Sequence, residues 1–136
     1  MRILIDTNIL ISAILGHGLP SQAYLKAVSF PNRGIISTVN VDELRRIFNR
    51  KFPQKVDAME HFLSVVLQSV ELVQVPDLSV PQEEFIRDIN DRPIMRAAVA
   101  AKCDAIVTGD KDFLESGIAT PKILSARDLV YGFGTC

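Results

Sequence analysis

The 136-residue sequence contains few of the side chains that usually bind zinc or form disulfides. It has two cysteines, Cys103 and Cys136, two histidines, His17 and His61, and no CxxC pair. Because a structural zinc site needs about four clustered nitrogen or sulfur ligands, we set such a site aside. The small number of cysteines also fits a reducing compartment, so we expect a cytoplasmic protein.

Long apolar runs and an excess of one charge are missing as well. No run approaches the roughly 20 residues needed to span a membrane, and the start MRILIDTNIL reaches an acidic residue too early for a signal peptide. The formal net charge is −1, so any nucleic-acid-binding surface must be local. Hydrophobic residues make up 48% of the chain, enough to bury a core, and the length predicts a single domain over residues 1–136.

Short apolar segments alternate with segments of helical periodicity along the chain. The strands are predicted at residues 2–5, 35–39, 71–75, 104–108 and 122–124. The helices are predicted at residues 8–15, 20–28, 41–50, 53–70, 81–86, 91–102, 111–115 and from Ser125 onward. Asn40 is expected to cap the helix at 41–50. Strands that alternate with helices over short loops predict a three-layer α/β/α sandwich with a central, mostly parallel sheet.

Four acidic residues lie where this predicted sheet would bring them to one edge. Asp6 directly follows the first strand, and Asp110 follows the fourth strand across a Thr-Gly step. Glu43 lies one turn into the helix after the second strand, and Asp91 starts the helix that leads into the fourth strand. Ligands of parallel sheets bind beyond the carboxyl ends of the strands, so the four positions are candidates for a functional site.

A cluster of these acids would have a definite chemistry. Carboxylates gathered at one edge repel one another and cannot all ionise without a cation, and oxygen ligands favour Mg²⁺ or Mn²⁺ over zinc. Such a site can activate water against a phosphodiester. Taken singly, each acid has a simpler explanation, as a helix cap at Asp6, Asp91 and Asp110 or as a solvated residue at Glu43. Independent caps need not share one edge, so the convergence favours a metal site.

Four sequence blocks in order resemble the PIN domain family, and within it the toxins of bacterial and archaeal toxin–antitoxin pairs (VapC-type proteins). The blocks are IDTNIL at 5–10, DELRRI at 42–47, DINDRPIMRAAVA at 88–100 and DAIVTGDKD at 104–112. The resemblance covers essentially the whole chain. It implies a ribonuclease that hydrolyses RNA phosphodiester bonds with Mg²⁺ or Mn²⁺. It also implies an antitoxin partner and a homodimer.

The same resemblance implies which residues form the site. The catalytic and metal-binding acids would be Asp6, Glu43, Asp91 and Asp110, with Asp112 as a further metal ligand. Asp88 is an alternative within DINDRP, and Asp91 is preferred because it opens the alanine-rich helix. The resemblance also points to three smaller polar residues, Thr7, Asn8 and Thr108. They would either orient these acids and the scissile phosphate or make only local turn and cap hydrogen bonds.

Basic residues follow Glu43 closely along the chain. They are Arg45, Arg46, Arg50, Lys51 and Lys55. Arg45, Arg46 and Lys51 could bind successive phosphates of an RNA backbone. Alternatively, these residues form a solvated helix face with no binding role. Near Asp91, Arg92 and Arg96 would serve likewise or neutralise the acids.

Three other functions compete with a nuclease. A PIN domain with a weak or inactive site would act as an RNA-binding module, although none of the four acids is lost. A haloacid-dehalogenase-like phosphatase needs a second aspartate two residues after the first, where Asn8 stands. A phosphate-binding GxxxxGK[ST] loop and a GxSxG nucleophile motif are both absent. A purely structural partner would leave the convergence of acids unexplained.

Overall fold

Five strands form one parallel sheet in the computed structural model, which describes residues 1–16 and 18–132. The strands are β1 (Arg2–Ile5), β2 (Arg33–Ser37), β3 (Glu71–Val73), β4 (Ala105–Val107) and β5 (Lys122–Leu124). Their order across the sheet is β3-β2-β1-β4-β5, and every neighbouring pair is parallel. The predicted parallel sheet is therefore confirmed. Of the two histidines and two cysteines, His17 and Cys136 lie outside the described residues.

Seven α-helices lie in the described part of the chain. They are α1 (Thr7–Leu15), α2 (Leu19–Val28), α3 (Thr38–Lys51), α4 (Val56–Val66), α5 (Arg92–Ala100), α6 (Lys111–Leu114) and α7 (Ala126–Tyr131). Two short 3-10 helices, Pro53–Lys55 and Pro81–Phe85, precede α4 and α5. None of the described helices is both long enough and apolar enough to cross a membrane.

The central strand β1 is buried on both faces, as expected of an apolar run inside a parallel sheet. Ile3 and Ile5 are fully buried in a core formed with α1, α2, α3, α4 and α7. Leu4 is fully buried in the opposite core, which α5 and α6 complete. Helices thus cover both faces of the sheet, and the three-layer α/β/α architecture is confirmed. The organisation of residues 1–136 as one domain stays a prediction.

The start of α3 differs from the prediction. Strand β2 ends at Ser37 and α3 begins at Thr38, whereas the strand was expected to reach residue 39 and the helix to start after Asn40. The Ser37 hydroxyl accepts a hydrogen bond from the Asn40 backbone N–H at 3.1 Å, and the Asn40 side chain accepts one from the Ser37 N–H at 3.2 Å. This capping box makes Ser37 the cap, and it overrides the β preference of Thr38 and Val39.

A smaller difference concerns the helix predicted at residues 53–70. Residues Pro53–Lys55 form a 3-10 helix, and the α-helix spans only Val56–Val66. Beyond it, the Val70 backbone N–H still bonds to the Val66 carbonyl at 2.9 Å, so the apolar spacing continues through a turn that is not a regular helix. Pattern alone does not distinguish these two local geometries.

The strand order places a topological switch point beside β1. From β1 the chain moves outward to β2 and β3 on one side, and later to β4 and β5 on the other. In sheets of this kind ligands bind at the carboxyl ends of the strands where the direction reverses, which is between β1 and β4. Asp6 follows β1 and Asp110 lies just beyond β4, so both acids stand at this position.

Candidate functional site

Asp6 is held at the carboxyl end of β1 by hydrogen bonds from four residues. Its Oδ1 accepts from the Thr7 backbone N–H at 2.9 Å and from Asn40 Nδ2 at 3.4 Å. Its Oδ2 accepts from the Thr108 hydroxyl at 2.7 Å and from Asn8 Nδ2 at 3.3 Å. Burial raises the pKa of Asp6 to about 6, although the bonds from Thr108 and Thr7 oppose this shift.

Asp91 stands at the N-cap position of α5 without capping the helix. Its side chain makes no cap hydrogen bond, so the helix-cap explanation does not hold here. Asp91 is only 8% exposed, and its buried Oδ2 has no hydrogen-bond partner. Burial, the contact with Asp110 and the charges of Asp110, Asp6 and Asp88 together raise the pKa of Asp91 to about 8. A buried oxygen of this kind is unfavourable unless a proton or a cation binds it.

Four carboxylates line one cavity of about 120 Å³ at this edge of the sheet. Its lining residues are Asp6, Thr7, Asn8, Ile11, Glu43, Ile47, Asp91 and Asp110. The negative charges of Glu43 and Asp110 contribute to the raised pKa of Asp6, which shows that the acids repel one another across the cavity. The structure therefore brings together the four acids that the sequence analysis selected.

Thr108 connects the two acids that follow β1 and β4. Its hydroxyl donates to Asp6 and accepts from the backbone N–H of Asp110 at 2.9 Å. Asn8 adds a second link, because its Oδ1 accepts from the Gly109 N–H at 2.8 Å while its Nδ2 faces Asp6. Asp110 in turn caps α6 by accepting from the Asp112 N–H at 2.9 Å. Asn8 and Thr108 thus make hydrogen bonds to the acids as well as local turn contacts.

Asn40 makes a further contact to Asp6 that the sequence pattern did not predict. Asn40 was expected only to cap a helix, whereas its fully buried side chain donates to Thr7 Oγ1 at 3.0 Å and to Asp6. The available signal was the amide at the third position after Ser37, where capping boxes more often have Glu or Gln.

Asp88 and Asp112 lie beside the four-acid cavity and do not line it. Carboxylate oxygens of Asp88, Asp91 and Asp112 come within 4.8 Å of one another. Asp112, however, already has a cation partner, since Arg87 lies 3.0 Å from its Oδ1. Asp88 Oδ1 accepts from the backbone N–H of Asn90 at 2.9 Å. Asp91 is therefore the residue common to both groups of acids.

The basic residues of α3 divide between two sides of the helix. Arg45 pairs with Glu60 of α4 at 3.0 Å. Arg46 approaches Glu43 to 4.0 Å and lines a larger neighbouring cavity of about 580 Å³, which shares Glu43 and Asp91 with the smaller one. Lys51 is exposed at the end of α3. Arg46 is thus placed beside the acids, and Arg45 has a structural partner.

Arg92 and Arg96 hold the segment before α5. Arg96 pairs with Glu83 at 2.8 Å and donates to the Pro76 carbonyl at 3.2 Å. Arg92 Nε donates to the Ile86 carbonyl at 3.0 Å. Arg96 therefore has structural partners on this segment, and the roles considered for Arg92 and Arg96 in neutralising the acids or binding phosphate stay predictions.

The residues present fit a divalent cation that takes oxygen ligands. The charged groups lining the smaller cavity are all carboxylates, and Asp91 Oδ2 is buried without a partner. Within residues 1–16 and 18–132, the contact of Arg46 with Glu43 is the one ion pair that any of the four acids makes. Mg²⁺ and Mn²⁺ prefer such oxygen-only ligand sets.

The sequence matches the family model of the PIN domain over residues 2–112. No curated protein sequence matches the chain significantly. Among solved structures, VapBC2 from Rickettsia felis, bound to a promoter DNA fragment, aligns with a TM-score of 0.66 and 19% identity over 92% of this chain and 98% of that one.

Two further solved structures resemble the chain to a similar degree. VapC20 from Mycobacterium tuberculosis, described as a toxin that cleaves the sarcin–ricin loop, aligns with a TM-score of 0.61 and 16% identity, covering 85% of this chain and 95% of that one. FitAcB from Neisseria gonorrhoeae aligns with a TM-score of 0.66 and 18% identity, covering 91% and 97%. Likeness at these identities shows a shared fold.

Proposed function

The chain belongs to the PIN domain family, and from this premise we propose that it is an endoribonuclease that hydrolyses RNA phosphodiester bonds with Mg²⁺ or Mn²⁺. The observation that supports the proposal best is the cavity lined by Asp6, Glu43, Asp91 and Asp110 at the switch point of the sheet. A fold gains nothing from four adjacent carboxylates, because their repulsion opposes folding. A role in binding a cation accounts for them.

We assign the cation to the carboxylates of this cavity, with Asp112 as a further candidate ligand. When bound, the cation would promote ionisation of water and stabilise the charge on the phosphate under attack. Asp6 is already oriented by the Thr108 hydroxyl and by Asn8, so this ligand needs little rearrangement. Asp91, whose pKa is raised to about 8, holds a proton near neutral pH, and loading the site would release it.

Arg46 is the residue we assign to the RNA backbone. It lines the larger cavity, which opens beside Glu43 and Asp91, and its side chain is 66% exposed. A guanidinium there can contact a phosphate that flanks the scissile bond. Arg45 is held by Glu60 on α4, so we give it no such contact. Lys51 stays a candidate for a more distant phosphate.

We further propose that the chain is the toxin of a toxin–antitoxin pair. The family membership and the likeness to VapBC2, VapC20 and FitAcB support this assignment. On this proposal the chain acts in the cytoplasm, forms a homodimer and has a small antitoxin protein as its partner. Co-expression with the product of the neighbouring gene, followed by co-purification, would test the partner.

Cleavage of a mixed RNA pool tests the nuclease directly. Wild type, Asp6→Asn and Asp110→Asn would each be incubated with Mn²⁺ or with a chelator. Each substitution removes one charge from the cavity without changing shape, so we expect the rate to fall by at least about 100-fold. The double variant should be little worse than either single one, because the residues act as a unit.

The variants also control for contaminating host nuclease, since they are purified in the same way as the wild type. Equal cleavage by all three proteins, or cleavage that persists with chelator, would refute the metal-dependent mechanism. RNA binding without cleavage by the wild type would instead favour the alternative function, an RNA-binding module.

A further inference from the structure

The described part of the chain contains two capping boxes that begin with serine, and they differ in the residue three positions after the serine. At α7, Ser125 accepts from the Asp128 backbone N–H and its own N–H donates to the Asp128 carboxylate, both at 3.0 Å. At α3, Ser37 and Asn40 make the equivalent pair at 3.1 and 3.2 Å. Asp128 shows that an aspartate side chain meets the capping requirement in this chain. The amide group at Asn40 therefore supplies something that capping does not use.

The orientation of the Asn40 amide follows from its partners. The Ser37 backbone N–H can only donate, so the Asn40 atom 3.2 Å away must be the oxygen. The Ser37 hydroxyl donates to the same oxygen at 2.7 Å. The NH₂ group is thereby turned toward Thr7 Oγ1, at 3.0 Å, and Asp6 Oδ1, at 3.4 Å. Asn40 is fully buried, so water does not compete for these bonds.

The hydrogen bond from Asn40 to Asp6 links Asp6 to the helix that carries Glu43. Asn40 and Glu43 lie three residues apart on α3, and therefore on neighbouring turns of the same helix face. Asp6 follows β1, so the bond from Asn40 ties α3 to the end of the central strand beside the cavity. With it, Asp6 Oδ1 has two donors, which limits rotation of the carboxylate.

We propose that Asn40 is a positioning residue whose side-chain N–H orients Asp6 and sets its place relative to Glu43 for cation binding. The cation part of this inference rests on the proposed function above. The hydrogen bond from Asn40 to Asp6 is testable in the metal-free protein and does not depend on it.

The first measurement compares two alanine variants. Asn40→Ala removes both the cap and the donor, whereas the matched control Asp128→Ala removes only a cap. Both should lower the Tm, because losing a capping side chain is destabilising. In Mn²⁺ titration calorimetry, Asn40→Ala should raise the Kd by roughly 10- to 100-fold, the usual effect of losing a residue that orients a ligand. Asp128→Ala should leave the Kd unchanged.

The second measurement needs no metal and keeps the helix cap. Asn40→Asp retains the capping oxygen, as Asp128 does at α7, and turns an acceptor instead of a donor toward Asp6. In chelator at pH 7.5 it should lower the Tm by roughly 5 °C or more through repulsion and the lost bond. Combining it with Asp6→Asn removes the repulsion between the two carboxylates, so the double variant should recover part of that loss.

The outcomes separate the two proposals. Additive Tm changes in the double variant would overturn the positioning role, and so would an Mn²⁺ Kd that is equal in wild type and Asn40→Ala. Wild-type protein that binds no Mn²⁺ would refute the proposed metal site. Non-additive Tm changes of Asn40→Asp and Asp6→Asn in chelator would then still show that the two side chains interact in the metal-free protein.

Discussion

Glu83 and Asp91 are buried to a similar degree, 5% and 8% exposed, but they lie in opposite electrostatic environments. Glu83 receives two hydrogen bonds from the Arg96 guanidinium, at 2.8 and 3.1 Å, and these lower its pKa. Asp91 faces Asp110 and has an oxygen without a partner, and burial with this neighbour raises its pKa. The charge of Glu83 is therefore balanced by a partner within the fold, and that of Asp91 is opposed by its neighbours.

The same contrast separates the two ends of the sheet. At the amino end of β1, Arg2 makes a two-bonded contact with Glu71, at 3.1 Å for each bond, which lowers the pKa of Glu71. At the carboxyl end, Asp6 is buried among other acids and its pKa is raised. The fold provides arginine for the acids that tie its elements together. At the switch point, the ion pair of Arg46 with Glu43 is the one that the four acids make within residues 1–16 and 18–132.

The largest difference is expected from exchanging each acid for its amide. Asp91→Asn should reduce cleavage by at least about 100-fold, while the metal-free protein keeps or gains stability because residue 91 no longer has to take up a proton on folding. Glu83→Gln should lower the Tm by several degrees, because it weakens a buried pair, and should leave cleavage by the folded protein near the wild-type rate. RNA cleavage and thermal melting in chelator measure both. Equal effects of the two variants on cleavage would remove the distinction between them.

Cation binding should stabilise only proteins that keep the site acids. At a Mn²⁺ concentration of 100 times the Kd, wild type should gain about 2.7 kcal/mol of unfolding free energy. Glu83→Gln should show the same gain, and Asp91→Asn should show little. Denaturant titrations with and without Mn²⁺ test this expectation. A gain of equal size in Asp91→Asn would mean that the ion binds elsewhere.

The raised pKa values also set the pH dependence of the metal-free protein. Asp6 and Asp91 have pKa values raised from 3.8 to about 6 and about 8, so the folded state binds protons that the unfolded state has released. Stability in chelator should therefore be highest at the acidic end of this range and fall as the pH rises from about 4 to about 8. Glu71 and Glu83, with lowered pKa values, act in the opposite direction and only below about pH 4.5.

Denaturant titrations in chelator at about pH 5, 6.5 and 8 measure this slope. Asp91→Asn should remove most of the fall in stability between about pH 6.5 and pH 8, because Asp91 has a higher pKa than Asp6. A wild-type stability that rises steadily over the same range would contradict the assigned shifts.

The smallest effect is expected at the neighbouring arginines of α3. Arg46→Ala should weaken RNA binding several-fold and reduce the slope of log affinity against log salt by about 1, as expected for one lost phosphate contact. Arg45→Ala is the matched control and should leave the slope unchanged, because its guanidinium pairs with Glu60. Binding measured with the Asp110→Asn variant avoids cleavage during the titration. A changed slope for Arg45→Ala alone would reverse the assignment.

The acids and their common edge followed from the sequence, because each lies at a position defined by local pattern. Asp6 ends a short apolar run, and Asp110 follows another across Thr-Gly. Runs of this kind are buried as parallel strands, whose carboxyl ends share an edge. Glu43 and Asp91 could be placed because helices start at recognisable residues, even though α3 was predicted to begin after Asn40 and begins at Thr38. The metal-binding roles of these acids stay predictions.

What only the tertiary structure decided was which polar groups meet. The bond from Thr108 to Asp6 joins residues 102 positions apart, and no local pattern specifies such a contact. Arg45 and Arg46 are adjacent in sequence, but successive residues of a helix point about 100° apart, so one faces Glu60 and the other Glu43. Their roles depend on where α4 packs against α3. Sequence determined the residues available to the site, and packing determined their partners, because hydrogen bonds and ion pairs form between groups that the chain separates.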